Sequence, residues 1–563
     1  MPNTFQEVSD YLSQFRLEDL IVASSVFSTM EYHDNFPDGD CYYAPMMNIV
    51  KSIMFTKAVL YSDSIYNNGE RFLPEELPWV LNNLSDAADN EEIIDNDELN
   101  DNEKLDQIIL SMFSSQLWYN RDITKERIPL LYSLYFELPY NHREELQNKH
   151  KSHFVDIPEF IRENLGIRLD KYLITSIFLA YILPNEAYNR FFIPNPQVRA
   201  FINSLQPDDE RHLSIRQQLI FEQTSRLESL SPWLTFSSSP VSFSKYPLLE
   251  IMEFLNEEEF ESYINLTSRD IFELRELNNE DAHQLGHISQ RLTPFERYPI
   301  LKLDKPCYVI PNLRFFEISI TELIRFALQQ SFKNNEFHEV MGSVQELLIN
   351  DLLSQLVNDE LFLIPERSYV KNNSEYLGPD LIVIDKGRPI LIESKAKQLL
   401  LNTRLNPDGQ PLSDNLKSVV DAILELEKNK LDDYYNESVY SDVQHDIINE
   451  VDCEPIFVGI IAEGVITMQE QVTKIKNSNA EHPLNSVQHP HVFLDIYHLY
   501  KVIEICKTNS LSLYDCLYKY WEVGNIIEPK KYSADSFDGL KYNPMDSYSK
   551  SKMDSLIHNL YNT

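Results

Sequence analysis

Hydrophobic residues recur at helical spacing through most of the first three hundred residues. The clearest amphipathic patterns span residues 48–60 and 108–118, where apolar positions return every three or four residues. The longest apolar run, residues 172–183, has twelve residues and stops at Pro184, whereas a membrane-spanning helix needs about twenty. This run therefore predicts a buried helix, and a further helical stretch is predicted for residues 248–277.

The pattern changes after residue 298. Residues 299–311 are predicted to form two short strands joined by a turn at 304–306. Two long helical patterns follow, over residues 313–332 and 336–357. From there strand and helix patterns alternate, which is typical of an α/β domain.

This division predicts an α+β multidomain protein. A mainly helical regulatory or recognition region, residues 1–298, is expected to come first. A connector made of a β-hairpin and a helix follows at 299–334. An α/β domain is predicted for residues 335–530, and a loosely attached polar tail for residues 531–563.

The chain is strongly acidic. Its 563 residues include 49 Lys and Arg against 88 Asp and Glu, which gives a formal net charge of −39. Proteins that bind nucleic acid through charge alone are normally basic, so this charge argues against that class. The most acidic stretch, residues 86–106, carries ten carboxylates and a single Lys and is expected to be a solvated loop. The alternative is that it mimics the charge of nucleic acid and restrains a basic site elsewhere.

Composition excludes several other classes. With 43% apolar and 12% aromatic residues the chain is globular rather than disordered. The five cysteines are dispersed without a CxxC pair, and the N-terminus has neither a basic start nor an apolar stretch. A cytoplasmic protein with reduced thiols and no membrane partner is therefore expected. The absence of a glycine-rich phosphate loop predicts that no nucleotide cofactor is used.

The most informative segment is residues 377–397. Its aliphatic runs, 381–384 and 390–392, flank a short polar turn, so a β-hairpin is predicted. The continuous apolar character of both runs indicates that the hairpin is buried.

Three charged residues are expected to meet at one end of this hairpin. Because side chains alternate along a strand, Glu393 and Lys395 project from the same face, and strand pairing can bring Asp380 beside Glu393. Burying these charges is unfavourable unless they pair or bind a metal ion. Two carboxylates, a main-chain carbonyl and water molecules form an all-oxygen site suited to Mg²⁺ or Mn²⁺.

This arrangement resembles the PD-(D/E)XK nuclease superfamily, also called restriction-endonuclease-like. Asp380 follows a proline, and the motif Glu393-Ser394-Lys395 begins thirteen residues later. The order of predicted elements is also similar over residues 335–525, with an acidic helix before the hairpin and helix, strand and strand–helix elements after it. The resemblance implies a restriction-endonuclease-like fold for the C-terminal α/β domain.

The resemblance also implies roles for the motif residues. Asp380 and Glu393 would hold Mg²⁺ or Mn²⁺, with the main-chain carbonyl of Ser394 as a third protein ligand. Lys395 would position or help deprotonate the attacking water and would stabilise the charge of the transition state. The product would carry a 5′-phosphate.

Further residues complete the implied site. Glu339 is favoured as the acid of the preceding helix because it follows a phenylalanine in a Phe-x-Glu arrangement, and Glu336 and Glu346 are its alternatives. Ordinary surface solvation is the alternative reading for each basic residue nearby. The candidates among them for phosphate contacts are Arg388, Lys397 and Arg404.

The sequence therefore predicts an enzyme, a Mg²⁺-dependent nuclease, with DNA favoured over RNA as the substrate. The family context implies a role in bacterial defence against phage or plasmids, or in restriction. One alternative is a catalytically silent nuclease-like module that binds nucleic acid or protein. Another is a nuclease that acts only with a defence-system partner protein or as a homo-oligomer.

Overall fold

The structure of the protein is a computed structural model. The described residues are 4–34, 44–73, 76–90, 121–182, 235–237, 255–280, 293–303, 307–328, 335–371, 374–396, 417, 419–434, 454–462, 469, 472, 476–477, 481–523, 548, 550–552 and 554–556.

Helices dominate the described part of the chain before residue 300. Their bounds are α1 (Phe5–Leu12), α2 (Leu17–Asp34), α3 (Ala44–Tyr61), α4 (Glu76–Asn90), α5 (Arg121–Tyr132), α6 (Leu138–Asn141), α7 (Arg143–His150), α8 (Ile157–Leu165), α9 (Leu169–Ile177), α10 (Glu257–Thr267), α11 (Ile271–Glu280) and α12 (Pro294–Arg297). The later helices are α13 (Leu313–Leu328), α14 (Asn335–Ser354), α15 (Leu431–Tyr434), α16 (Ile496–Asn509) and α17 (Leu513–Val523). Single π-helical turns are Ser133–Glu137, Phe178–Ile182 and Leu426–Lys430, and short 3₁₀ turns are Lys151–His153 and Pro483–Ser486.

Within the described ranges, the strands fall into three sheets. Their bounds are β1 (Thr235–Ser237), β2 (Ser268–Arg269), β3 (Ile300–Lys302), β4 (Cys307–Val309), β5 (Leu361–Pro365), β6 (Ser368–Lys371), β7 (Ser374–Leu377), β8 (Leu381–Asp385), β9 (Arg388–Lys395), β10 (Ile456–Ile461) and β11 (His491–Asp495). The strand orders are β1-β4-β3-β2, β11-β10-β9-β8-β5 and β6-β7. The chain thus has a helical N-terminal region and a sheet-bearing C-terminal region, as predicted.

Helices α1 to α4 share one hydrophobic cluster with α11, α12 and the short strands β3 and β4. The sequence of α1 explains its start, because the Thr4 side chain accepts from the main-chain N–H of Glu7 while Glu7 caps Thr4 in return. The two short strands predicted before residue 311 are confirmed, since β3 and β4 pair antiparallel.

The five-stranded sheet carries the predicted hairpin. Strands β8 and β9 pair antiparallel, with Asp385 opposite Arg388 at the turn, and Gly387 adopts a positive φ of 76° there. Strands β9, β10 and β11 run parallel, and β5 pairs antiparallel with β8. The hairpin prediction is therefore confirmed.

Both faces of this sheet are covered. Val383, Ile390 and Ile392 belong to a large cluster with α14, α16 and α17, whereas Ile382, Ile384 and Leu391 belong to a second cluster on the other face. The helical residues 419–434 cover that second face. The large cluster also contains side chains of α8 and α9, so the middle of the helical region and the sheet share one hydrophobic core.

Several predictions need adjustment. Strand β2 interrupts the helical stretch predicted for 248–277, since α10 ends at Thr267 and α11 begins at Ile271. The acidic segment 86–106 begins within helix α4, and its remainder lies outside the described residues, as does the helix predicted for 108–118. The helix predicted at 172–183 is present up to Ile182, in α9 and its π turn, and its side chains are buried or half-buried up to Ala180.

The described part of the predicted polar tail is attached to the core. Tyr548 and Leu556 are buried, and the Tyr548 hydroxyl donates to Asp351 of α14 at 3.0 Å. Lys552 forms ion pairs with Glu137 at 2.7 Å and with Asp351 at 3.2 Å. The prediction of loose attachment is therefore wrong for these residues. Tyr548 and Leu556 pack into the large hydrophobic cluster, and Lys552 is paired with two carboxylates. Within the described ranges, no helix is both long and apolar enough to cross a membrane.

Candidate active site

Strand register places Asp380 next to Glu393. Leu381 of β8 pairs with Ile392 of β9 in an antiparallel arrangement. Asp380, which precedes Leu381, therefore lies beside Glu393, which follows Ile392. The main-chain N–H of Ser394 donates to Asp380 Oδ2 at 2.7 Å, which fixes the carboxylate against the end of β9. The convergence expected from the sequence is present.

Lys395 joins this pair from the same strand. Its Nζ donates to Glu393 Oε1 at 2.8 Å and to Glu425 Oε2 at 3.2 Å. The Glu393 side chain is 3% exposed, whereas that of Lys395 is 32% exposed. Thus the Glu393 carboxylate is buried, whereas the Lys395 side chain reaches the solvent.

A second lysine, Lys430, reaches the site from the helical segment 419–434. Lys430 Nζ donates to Glu393 Oε2 at 2.5 Å and lies 3.8 Å from Asp380 Oδ1 and 3.7 Å from Glu425 Oε1. Its side chain is only 6% exposed. Both oxygens of Glu393 therefore accept from lysines, one on its own strand and one on the helical segment 419–434.

Neither Glu425 nor Lys430 belongs to the predicted motif. The geometry of their helical segment explains why the sequence does not indicate that they meet. In a regular α-helix, two residues five apart lie about 140° apart around the axis. The Leu426–Lys430 turn is π-helical, with wider i→i+5 hydrogen bonding, and this brings both side chains to one place. A pattern based on α-helical spacing cannot reveal that pair.

Gly459 allows the helical segment to approach the site. Gly459 lies opposite Glu393 in the β9–β10 pair. A Cβ atom at this position would lie 3.1 Å from Val419 Cγ1 and 3.2 Å from the Val419 main-chain oxygen. The absence of a side chain at Gly459 thus lets residues 419–434 pack against β10 at a distance at which a Cβ would push Val419 outward by a few tenths of an ångström.

Helix α14 closes the site from the other side. The Gln345 side chain donates from Nε2 to the main-chain oxygen of Lys395 at 3.3 Å and is in reach of that of Ile460 at 3.5 Å. Its Oε1 is buried and has no hydrogen-bond partner among the described residues. An additional oxygen acceptor is therefore available beside the main chain of Lys395.

Burial dominates the electrostatics of the two carboxyl groups. It raises the pKa of Asp380 to about 6, although Lys430 and the Ser394 N–H act in the opposite direction. Burial, and then the charge of Asp380, raise the pKa of Glu393 to about 7, against the influence of Lys430 and Lys395. Burial lowers the pKa of Lys395, but the carboxylates of Glu393 and Glu425 outweigh it and raise the pKa overall. The two carboxyl groups thus need a nearby cation in order to stay ionised at neutral pH.

The helical acid that acts on Asp380 is Glu346. Its charge, like that of Glu366, raises the Asp380 pKa. Glu346 also pairs with Lys149 at the end of α7, at 3.2 Å. The main-chain N–H of Glu366 donates to the main-chain oxygen of Asp380 at 3.1 Å, which places Glu366 beside that residue. Glu339, the favoured candidate, is exposed, and its charge acts on His150. Of these two helical acids, it is therefore Glu346, two turns further along the same helix, whose charge acts on Asp380.

The structure does not bring Arg388 to this site. Arg388 begins β9, and Lys395 ends it, a separation of about 23 Å along an extended strand. Its guanidinium pairs with Asp515, donates to Ser512 at 2.6 Å and stacks over the Tyr514 ring at 4.4 Å. These contacts fasten the hairpin turn to α17. The other two phosphate-binding candidates, Lys397 and Arg404, lie outside the described residues.

The donor set fits a divalent cation in its chemistry. Asp380 and Glu393 supply two carboxylates, with side chains 13% and 3% exposed, and Gln345 Oε1 is a buried oxygen without a hydrogen-bond partner among the described residues. Within the described residues no group of three or more His, Cys, Asp or Glu side chains is arranged to hold a metal ion. The protein would therefore provide few ligands, and water or substrate oxygens would complete the shell, as is usual for Mg²⁺.

Comparisons with known proteins do not identify a relative of this chain. No protein-family model matches the chain, and searches of curated proteins and of solved structures give no significant match.

Proposed function

We propose that this protein is a metal-dependent nuclease whose C-terminal domain is restriction-endonuclease-like, with DNA favoured over RNA as its substrate. One observation carries the proposal: Asp380, Glu393 and Lys395 converge at one end of the hairpin in the five-stranded sheet. Metal-assisted phosphodiester hydrolysis requires carboxylates that hold the metal ion, and a neighbouring cation assists it at the phosphate. Two largely buried carboxylates and a partly exposed ammonium would supply these groups here.

The architecture around these residues supports the proposal. A helix with an acid, α14, precedes the hairpin in the chain, and the helical segment 419–434 and strand β10 follow it. The site lies at the carboxyl ends of the parallel strands β9 and β10, where α/β sheets commonly place their ligands.

Each side chain has a defined task under this proposal. Asp380 and Glu393 would hold Mg²⁺ or Mn²⁺, which when bound lowers the pKa of a water and neutralises phosphate oxygens. Within the described structure the Lys395 ammonium makes two hydrogen bonds, which leaves one proton for a water or a phosphate oxygen. Because the Lys395 side chain is 32% exposed, this proton would be within reach of a substrate that arrives from solvent. Lys395 would thereby orient the attacking water and stabilise negative charge on the phosphate.

A second candidate function has one observation in its favour. Both Glu393 oxygens are held by lysines, so the charged cluster also works as a purely structural network. A nuclease-like module without catalysis that binds a partner is therefore the rival proposal, and the net charge of −39 favours a protein partner over nucleic acid for it.

Labelled oligonucleotides distinguish the two functions and define the substrate. We expect cleavage of DNA by the wild-type protein with Mn²⁺ or Mg²⁺ and none with EDTA, and weaker cleavage of RNA of the same sequence. Lys395→Met, which keeps the length of the side chain without its charge, should lose about 100-fold or more in rate. Equal rates for wild type and Lys395→Met would contradict the proposal.

A further inference from the structure

Lys430 occupies the centre of the acidic cluster. Its ammonium contacts three carboxylates, those of Glu393, Asp380 and Glu425, at 2.5, 3.8 and 3.7 Å. Its side chain is 6% exposed, and a lysine is rarely buried to this extent without a reason in the surrounding charges. Lys430 is not part of the nuclease motif, whose own lysine is Lys395.

The formal charges show what Lys430 does in the absence of a metal ion. Asp380, Glu393 and Glu425 contribute −3, and Lys395 and Lys430 contribute +2, so the cluster carries −1. Without Lys430 the cluster would carry −2 in a largely buried place, which is unfavourable. With a divalent ion bound and both lysines in place it would carry +1, and the ammonium and the ion would compete for the same oxygen of Glu393.

We propose that Lys430 is a built-in counter-cation, which holds the two carboxylates in the metal-free protein and leaves Glu393 when a divalent cation binds. This inference rests on the proposed metal site and adds its regulation: divalent binding is an exchange of an ammonium for a metal ion. The exchange lowers the affinity for the metal and couples binding to a movement of the Lys430 ammonium.

The structure supplies a destination for the displaced ammonium. Glu425 Oε1 lies 3.7 Å from Lys430 Nζ, and the Glu425 side chain is 39% exposed at the edge of the site. A small shift of Nζ toward Glu425 would free Glu393 Oε2 while keeping the lysine paired. The π-helical turn between these two residues is a kind of turn often found at functional sites.

Binding of Mn²⁺, followed by its electron paramagnetic resonance signal, tests the exchange in the full-length protein without any substrate. Lys430→Met removes the charge and keeps the length, and Lys428→Met is the matched control, because Lys428 is exposed on the same turn. We expect Lys430→Met to bind Mn²⁺ roughly tenfold more tightly than wild type or the control. Equal or weaker binding by Lys430→Met would overturn the inference.

A second measurement uses the wild-type protein and does not depend on the folding of a variant. Lys430 should be acetylated slowly by an amine-reactive ester in EDTA and several-fold faster with saturating Mn²⁺, whereas Lys428 should react equally in both. Mass spectrometry of the peptides reports both residues. An unchanged rate at Lys430, with Mn²⁺ shown to be bound, would overturn the exchange.

The same experiments separate this inference from the proposed nuclease function. Mn²⁺ binding that tightens in Lys430→Met, in a protein that cuts no nucleic acid, would support the exchange and contradict the nuclease. Cleavage by wild type with Mn²⁺ affinity unchanged in Lys430→Met would do the reverse. Absence of Mn²⁺ binding by both proteins at millimolar concentration would overturn the metal site and the exchange together.

Discussion

Glu393 lies directly opposite Gly459 across the β9–β10 pair, and this relationship determines how the site is assembled. The missing side chain of Gly459 leaves room for Val419, and the helical segment that contains Val419 carries Lys430 to Glu393. How closely the helical segment packs over the acidic cluster thus depends on Gly459, a residue that carries no charge of its own.

Gly459→Ala tests this relationship through stability. The added Cβ would meet Val419 at 3.1–3.2 Å, so the helical segment must move outward. We expect a loss of about 1–3 kcal/mol in the free energy of unfolding, measured with urea.

The matched control for this change is Gly342→Ala in helix α14. A Cβ there would meet only Ala396 Cβ, at 4.0 Å, and alanine is the better helix former. This variant should be unchanged or more stable by about 0.5–1 kcal/mol. Equal destabilisation by both variants would show that tight packing at Gly459 is not the cause.

Metal binding should strengthen as the pH rises. The pKa of Asp380 is raised to about 6 and that of Glu393 to about 7, so below these values a proton occupies the carboxyl oxygens that the cation needs. We expect Mn²⁺ affinity to increase between pH 5 and pH 8 and then to level off. In Glu393→Gln, any residual binding should follow the lower midpoint of Asp380 alone. An affinity independent of pH over this range would contradict the assignment of these carboxyls as ligands.

Glu346 and Glu339 should differ in their effect on cleavage. Glu346 acts on Asp380, whereas Glu339 is exposed and acts on His150. We expect Glu346→Gln to lower the cleavage rate about tenfold or more and Glu339→Gln to remain within about twofold of wild type. The two helical positions share the residue type and the helix, so each is the control for the other. A reversed order would restore Glu339 as the helical acid.

Arg388→Ala should affect stability rather than nucleic-acid affinity. The guanidinium pairs with Asp515 and lies over the Tyr514 ring, at the end of β9 remote from Lys395. Losing these contacts should cost about 1–2 kcal/mol in the free energy of unfolding. Affinity for DNA, measured by fluorescence anisotropy in Ca²⁺, should be unchanged. A marked loss of DNA affinity in the folded variant would support the phosphate-binding role predicted from the sequence.

The hairpin could be predicted because its determinants are local. Alternating faces, a short polar turn and the register they impose bring Asp380 and Glu393 together without any information from the rest of the chain. The choice between Glu339 and Glu346 could not be made in this way, since it depends on how helix α14 is rotated against the sheet. The same holds for Arg388, whose partner, Asp515, lies more than a hundred positions away.

Lys430 was beyond sequence reasoning for a different reason. Its position depends on a π-helical turn and on the close approach that Gly459 permits, and neither follows from apolar periodicity. The tail gives a third case, because the burial of Tyr548 and Leu556 depends on a surface formed by distant helices. Local pattern thus determined the core of the site, and tertiary packing determined the side chains around it.

The most direct test of the central claim is the nicking of supercoiled plasmid by the purified full-length protein with Mn²⁺ or Mg²⁺. Wild type, Asp380→Asn and Lys428→Met should be compared, the last as a surface control on the turn that carries Lys430. We predict metal-dependent conversion to open-circular DNA by wild type and Lys428→Met, and none by Asp380→Asn. Nicking that persists in Asp380→Asn, or its absence from wild type with Mn²⁺ bound, would contradict a nuclease built on this site.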